Sequence, residues 1–142
     1  MNFRNKFLVS YDVTSLFTNI SLQKTIDLAV DLMFKGVPGL RVSRPQLRKL
    51  FVIATTQSHF LFKGEIYEQI DGVAMGSPLA PTLANLFMGH HEQMWSENCG
   101  NDGPVYYQRY VDDIFVVFDT ETQADEFLGF LNTRHPSIRF TA

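Results

Sequence analysis

The run Arg109-Tyr110-Val111-Asp112-Asp113-Ile114-Phe115 constrains the fold more than any other stretch. Two adjacent carboxylates stand between 105–111 and 114–118, runs rich in the aromatic and β-branched residues that strands favour. Asp suits a tight turn because it tolerates left-handed backbone and bonds its own chain. The pattern predicts a β-hairpin with Asp112 and Asp113 at its tip. Side-by-side negative charges repel unless something positive comes to them. A hard divalent cation answers that need, since Mg²⁺ prefers carboxylate oxygens. A solvated Asp-Asp turn is the competing reading, and the pair by itself does not choose.

The rest of the chain alternates strand-like and helical patterns. Phe7 to Asp12 reads as a buried strand ending in a carboxylate, where α/β architectures often place ligand groups. Ser21 is a predicted N-cap for a helix carrying Leu22, Ile26, Ala29, Val30, Met33 and Phe34, with Gly36 as its stop. Ser43 and Pro45 open a second helix with Leu47, Leu50, Phe51 and Ala54 on its inner face. Phe60–Phe62 and Ile66–Gln69 form a predicted hairpin through Lys63-Gly64-Glu65. Residues 71–81 hold too many glycines and prolines for regular structure. Leu83, Leu86, Phe87, Met94 and Trp95 then mark a long amphipathic helix. Thr122 with Asp125 resembles a capping pair for a last helix burying Phe127, Leu128 and Leu131, ended by His135-Pro136. Ile138 to Thr141 begins a final strand. The order implies an α+β fold, helices packed on an antiparallel sheet, with the chain ending inside structure as an incomplete domain would.

Composition narrows the classes. A chain of 142 residues is one domain's worth and buries a sizeable core. Its formal charge of −3 leaves no global basic footprint for nucleic acid. Arg41, Arg44, Arg48 and Lys49 gather positive charge locally, which a solvated helix face also explains. The single cysteine, Cys99, rules out an intramolecular disulfide and suits a reducing compartment. No apolar run reaches membrane-spanning length and no signal-peptide layout opens the chain. The expectation is a soluble, intracellular, compact piece. His90-His91-Glu92 reads as a solvated helix face rather than a metal site, since adjacent helical residues point about 100° apart.

Asp12 and the pair Asp112-Asp113 are distant in sequence, but adjacent antiparallel strands bring such ends side by side. Converging carboxylates can cage two Mg²⁺ ions roughly 3.5–4 Å apart, activating an attacking hydroxyl and stabilising a leaving phosphate oxygen. Phosphoryl transfer asks for positioning and charge neutralisation more than for covalent help. Gly76 adds a place where backbone can approach a nucleotide closely, having no Cβ.

With those residues in view the chain resembles a reverse transcriptase palm, and specifically the Penelope-like retroelement group. Residues 7–20, from Phe7 to Ile20, resemble that group's first catalytic motif. Gly72-Val73-Ala74-Met75-Gly76-Ser77-Pro78-Leu79-Ala80-Pro81, continuing into Leu83-Ala84-Asn85-Leu86-Phe87-Met88, resembles its second. Arg109-Tyr110-Val111-Asp112-Asp113 is similar to the metal-binding motif of reverse transcriptases, and residues 130–141 to the segment that follows. The resemblance implies residues 1–142 as one partial domain with motifs A to C and the start of the next segment. It implies RNA-directed DNA polymerase activity with an RNA template, a DNA primer and deoxynucleotides, no membrane, and two Mg²⁺ ions for which Mn²⁺ substitutes. Asp12 and Asp112 would be catalytic metal ligands with Asp113 as acidic partner, and the Val13 carbonyl would add a ligand. The amides of Ser15 and Leu16 would meet the triphosphate. Phe17 would exclude a ribose 2′-hydroxyl, Met75 and Gly76 would line the nucleotide pocket, and Tyr110 would lie near the primer end.

Some residues depart from the broader pattern. Gln is common where Met75 stands and Ser where Ala80 stands, and Met75 fits the Penelope-like pattern. Ser21 takes the place of an expected Pro. Basic fingers would precede residue 1 and a thumb would follow Ala142, and the GIY-YIG endonuclease that often accompanies the group is also missing. Phosphate-gripping charge in those parts would account for the acidic balance here. The competing reading is a catalytically inactive transposon-derived remnant. Retroelement biology implies a nuclear location.

Overall fold

The computed structural model describes residues 2–56, 59–68, 72–73 and 77–142. In chain order the elements are β1 (Phe7–Val13), α1 (Leu16–Asn19), α2 (Leu22–Gly36), α3 (Arg44–Thr56), β2 (His59–Phe62) and β3 (Glu65–Glu68). They continue with α4 (Ala80–Asn98), a 3₁₀ turn (Gly100–Asp102), β4 (Tyr106–Tyr110), β5 (Asp113–Phe118), α5 (Glu121–Asn132) and β6 (Phe140–Thr141). The chain divides into two compact units, Met1–Leu16 with Gly89–Ala142, and Phe17–Met88.

The first unit is built on a four-stranded antiparallel sheet in the order β4-β5-β1-β6. Strand β1 is half-buried rather than buried throughout: Tyr11 and Val13 face the core while Leu8, Ser10 and Asp12 face out, the period-two pattern of a sheet with one covered face. Ile114, Val116 and Phe118 of β5 lie on the covered side. Helix α5 packs there through Ala124, Phe127 and Leu131 at helical spacing. The Tyr11 hydroxyl donates to the Ala124 carbonyl at 2.6 Å, and the Phe127 ring lies 5.5 Å from Phe118 and 6.4 Å from Tyr11.

The cap of α5 is Thr120 rather than Thr122. Thr120 Oγ1 accepts from the Gln123 amide while the Gln123 side chain accepts from the Thr120 amide, a reciprocal pairing that Gln completes as well as an acid would. The helix ends at Asn132, ahead of His135-Pro136, and Asn132 makes a second use of its amide. It accepts from the Phe140 amide and donates to the Phe140 carbonyl, standing in for a strand neighbour beside the two-residue β6.

The second unit holds α2, α3, the β2–β3 hairpin and the first half of α4. Ser21 caps α2 by position, without a side-chain bond, and the helix runs through Gly36 to a C-cap at Val37. Ser43 and Gln46 exchange bonds at the start of α3. Of the predicted inner face of α3 only Leu47 is buried; Leu50 and Ala54 are exposed and Phe51 is intermediate. Arg48 bonds Asp27 and Gln23 of α2, and Arg44 bonds Asp31 and lies over Phe34. These exposed pairs set helix register more than they add stability. The β2–β3 hairpin turns at Lys63-Gly64, both left-handed, as a two-residue turn of the primed type requires.

Candidate active site

Register decides where the carboxylates go. Asp12 of β1 is the direct cross-strand partner of Asp113 of β5, and both are exposed on the side of the sheet opposite Ile114 and Val116. One residue further, the Val13 amide donates to the Asp112 carbonyl at 2.9 Å. Asp12, Val13, Asp112 and Asp113 are thus brought to one sheet end, with exposed Tyr110 opposite Asp113 on β4.

The hairpin tip differs by one residue from the predicted one. Tyr110 pairs with Asp113, so the turn is Val111-Asp112 and Asp113 opens β5. Val111 takes φ +57° while Asp112 does not, so the first central residue is left-handed. That position favours glycine, and a β-branched residue there is strained. Strain of this kind persists only where surrounding contacts over-determine it.

Those contacts come from α4. Tyr107 and Arg109 point to the covered side of the sheet, where Glu92 of α4 meets both. The Glu92 carboxylate accepts from Arg109 Nε at 2.6 Å and Nη2 at 3.2 Å, and from the Tyr107 hydroxyl at 2.6 Å. Burial, with the Glu92 carboxylate beside it, pushes the Tyr107 phenol far up. Arg109 Nη1 also donates to the Val111 carbonyl at 3.0 Å. The solvated-face reading of 90–92 therefore fails at Glu92, and at His91, whose ring lies 5.1 Å from His135 and stacks near Trp95. Periodicity within a helix does not reveal partners that a distant strand supplies.

Among the described residues no Lys, Arg or His pairs with Asp12, Asp112 or Asp113. No group of three or more His, Cys, Asp or Glu is already arranged to hold an ion among them. The donor set itself suits a hard divalent cation: outward carboxylate oxygens, two of them directly opposed across strands, without a counter-charge.

The remaining predicted residues separate. Ser15 is exposed with φ +50°, and Leu16 is buried at the start of α1. Phe17 belongs to the second unit, where its carbonyl accepts from the Val73 amide at 2.6 Å. Met75 and Gly76 lie outside the described residues. Close backbone approach is found instead at Gly72, with φ +75°, where a Cβ would fall 2.4 Å from the Thr18 carbonyl oxygen. A glycine at the head of the Gly-Pro segment is its only sequence signal.

No curated protein matches the chain. Telomerase from Candida albicans, solved in complex with a TWJ fragment of telomeric RNA, has a similar fold, with TM-score 0.65 and 11% identity over 89% of this chain. Apo telomerase from Candida tropicalis, truncated from its C-terminal domain, gives TM-score 0.62 at 11% identity over 96% of the chain. The chain spans 25% and 30% of those telomerase chains. Residues 2–140 match the family described as reverse transcriptase (RNA-dependent DNA polymerase), and the chain belongs to that family.

Proposed function

We propose that this chain is the palm of a Penelope-like retroelement reverse transcriptase, a partial domain over residues 1–142 that acts with fingers and thumb supplied elsewhere. The observation that carries the reading is the placement of Asp12 opposite Asp113, with Asp112 bonded to Val13 beside them and no Lys, Arg or His paired with the three among the described residues. Asp12, Asp112 and the Val13 carbonyl supply hard oxygen ligands, and Asp113 adds negative charge next to them. Two bound Mg²⁺ ions, or Mn²⁺ in their place, would supply activation of the primer 3′-hydroxyl and charge neutralisation at the leaving phosphate. The amides of Ser15 and Leu16 receive the triphosphate, Tyr110 meets the primer end, and Met75 and Gly76 line the nucleotide pocket. Phe17 selects deoxynucleotides over ribonucleotides by filling the space a 2′-hydroxyl needs. Template RNA, primer DNA and a nuclear location belong to the retroelement reading, in a group that a GIY-YIG endonuclease often accompanies.

The test is primer extension on an RNA template with Mg²⁺ and deoxynucleotides, comparing the chain with Asp112→Asn. Extension lost in the variant supports catalysis by these residues. A folded chain without extension, active once fingers and thumb are added, supports a palm that needs its partners. A folded chain that stays inactive with those parts present would make it the remnant, and the polymerase reading would fail.

A further inference from the structure

We infer that Glu92 is a positioning residue: with Arg109 and Tyr107 it forms a clamp that holds the strained Val111-Asp112 turn in place and so sets Asp112 beside Asp12. Neither catalytic-motif spacing nor family membership assigns Glu92 a role. Its place on the middle of α4, behind the sheet, keeps it off the face that carries the carboxylates.

The geometry is a relay of three links. The Glu92 carboxylate grips the guanidinium edge through Nε and Nη2, the forked arrangement that fixes orientation as well as distance. Tyr107 donates to the same carboxylate and restrains its rotation. The remaining guanidinium nitrogen, Nη1, then reaches the carbonyl of Val111. Val111 is the residue held left-handed against its preference, and Asp112 follows it. Released from that bond, the turn would relax toward ordinary backbone and carry Asp112 away from the Val13 amide that now binds its carbonyl. A lysine at 109 would preserve the charge but not the fork, so it could not hold Glu92 and Val111 together.

The clamp is a statement about backbone placement. Its consequence for chemistry rests on the two-cation reading above, and the experiment separates the two. Hydrogen exchange of the Val13 amide reports directly on its bond to Asp112, and titration with Mn²⁺ alone reports on the carboxylates. Glu92→Gln and Arg109→Lys are expected to speed Val13 exchange at least tenfold while amides in the middle of the β1–β5 ladder keep their protection. Adding Val111→Gly to Glu92→Gln is expected to restore protection, because glycine holds the left-handed turn without the clamp. Unchanged Val13 exchange in both single variants overturns the proposal. So does a uniform rise across the ladder, a failure of both variants to fold, or no rescue by glycine, each of which marks a general packing role. Mn²⁺ binding that survives both Asp12→Asn and Asp112→Asn would defeat the cation reading while leaving the clamp standing on the exchange data.

Discussion

The two compact units carry opposite charge and solve their structural problems by different means. Residues 1–16 with 89–142 hold five Lys or Arg against ten Asp or Glu, whereas 17–88 hold seven against five. The chain's −3 is therefore a balance of −5 and +2. The acidic unit positions its groups by strand register, with an ion-pair relay behind the turn. The other unit relies on backbone approach at Gly72 and leaves more apolar surface open, including Leu61 and Ile66 of its hairpin and Leu50 and Ile53 of α3. Net charge over a whole chain thus hides an uneven distribution, with the acidic excess in one unit and a small basic excess in the other.

The largest expected effects come from substituting one glycine in each unit. Gly72→Ala adds a methyl that collides with the Thr18 backbone at a residue already in left-handed conformation, so the second unit is expected to lose about 3 kcal/mol of stability. Gly129→Ala, on the exposed face of α5 with open space at its Cβ, is expected to gain about 0.5–1 kcal/mol. Denaturant unfolding of the two variants checks both signs. Equal effects would mean that Gly72 is not the anchor of its unit.

Alkaline unfolding separates the units next. Burial, with Asp125 nearby, raises the Tyr11 phenol to about 12, so its folded value lies above its unfolded value near 10. Stability from the protonated phenol is present below pH 10 and drains away as pH rises toward 12. Tyr11→Phe loses the bond to the Ala124 carbonyl at neutral pH, about 1 kcal/mol. Between pH 10 and 12 the parent is then expected to lose about 2 kcal/mol relative to that variant. In the second unit Tyr67 is raised by its bond to Glu65 but stands in solvent, so Tyr67→Phe should leave the alkaline slope unchanged. Tyr107 keeps an alkaline slope of its own in that variant, so only a slope as steep as the parent's would locate the sensitivity away from Tyr11.

Element order was legible because period and punctuation agreed along most of the chain: the strand carrying Asp12, the two early helices, both hairpins and the last helix all occur. Details that depend on the third dimension were not. Leu50 faces out because helical spacing marks an apolar stripe without saying what covers it. The turn slipped to Val111-Asp112 because pairing of Tyr110 with Asp113 outweighs the turn preference of Asp over Val. Glu92 looked like solvated surface because Arg109 and Tyr107 reach it from a strand that follows it by fifteen residues and more. The candidate carboxylates, by contrast, were readable as a family motif, and their convergence needed only that β1 and β5 be antiparallel neighbours.

The smallest effect tests that convergence most directly. Asp12 and Asp113 are like charges at directly paired positions, an arrangement that costs about 0.2–1 kcal/mol relative to a neutral pair. In metal-free buffer Asp113→Asn should therefore raise stability by that amount, the reverse of what removing a structural carboxylate usually does. Adding Mg²⁺ should reverse the ranking, because the parent gains from a cation that both carboxylates attract while the variant keeps fewer negative oxygens to hold it. The same comparison in added NaCl should shrink the first difference without reversing it, since monovalent ions screen exposed charges but do not bridge them. Thermal unfolding of parent and variant in the three buffers reads all of this at once. A variant less stable than the parent in metal-free buffer would show that Asp113 holds the turn rather than strains it, and that repulsion from Asp12 is not what its charge contributes.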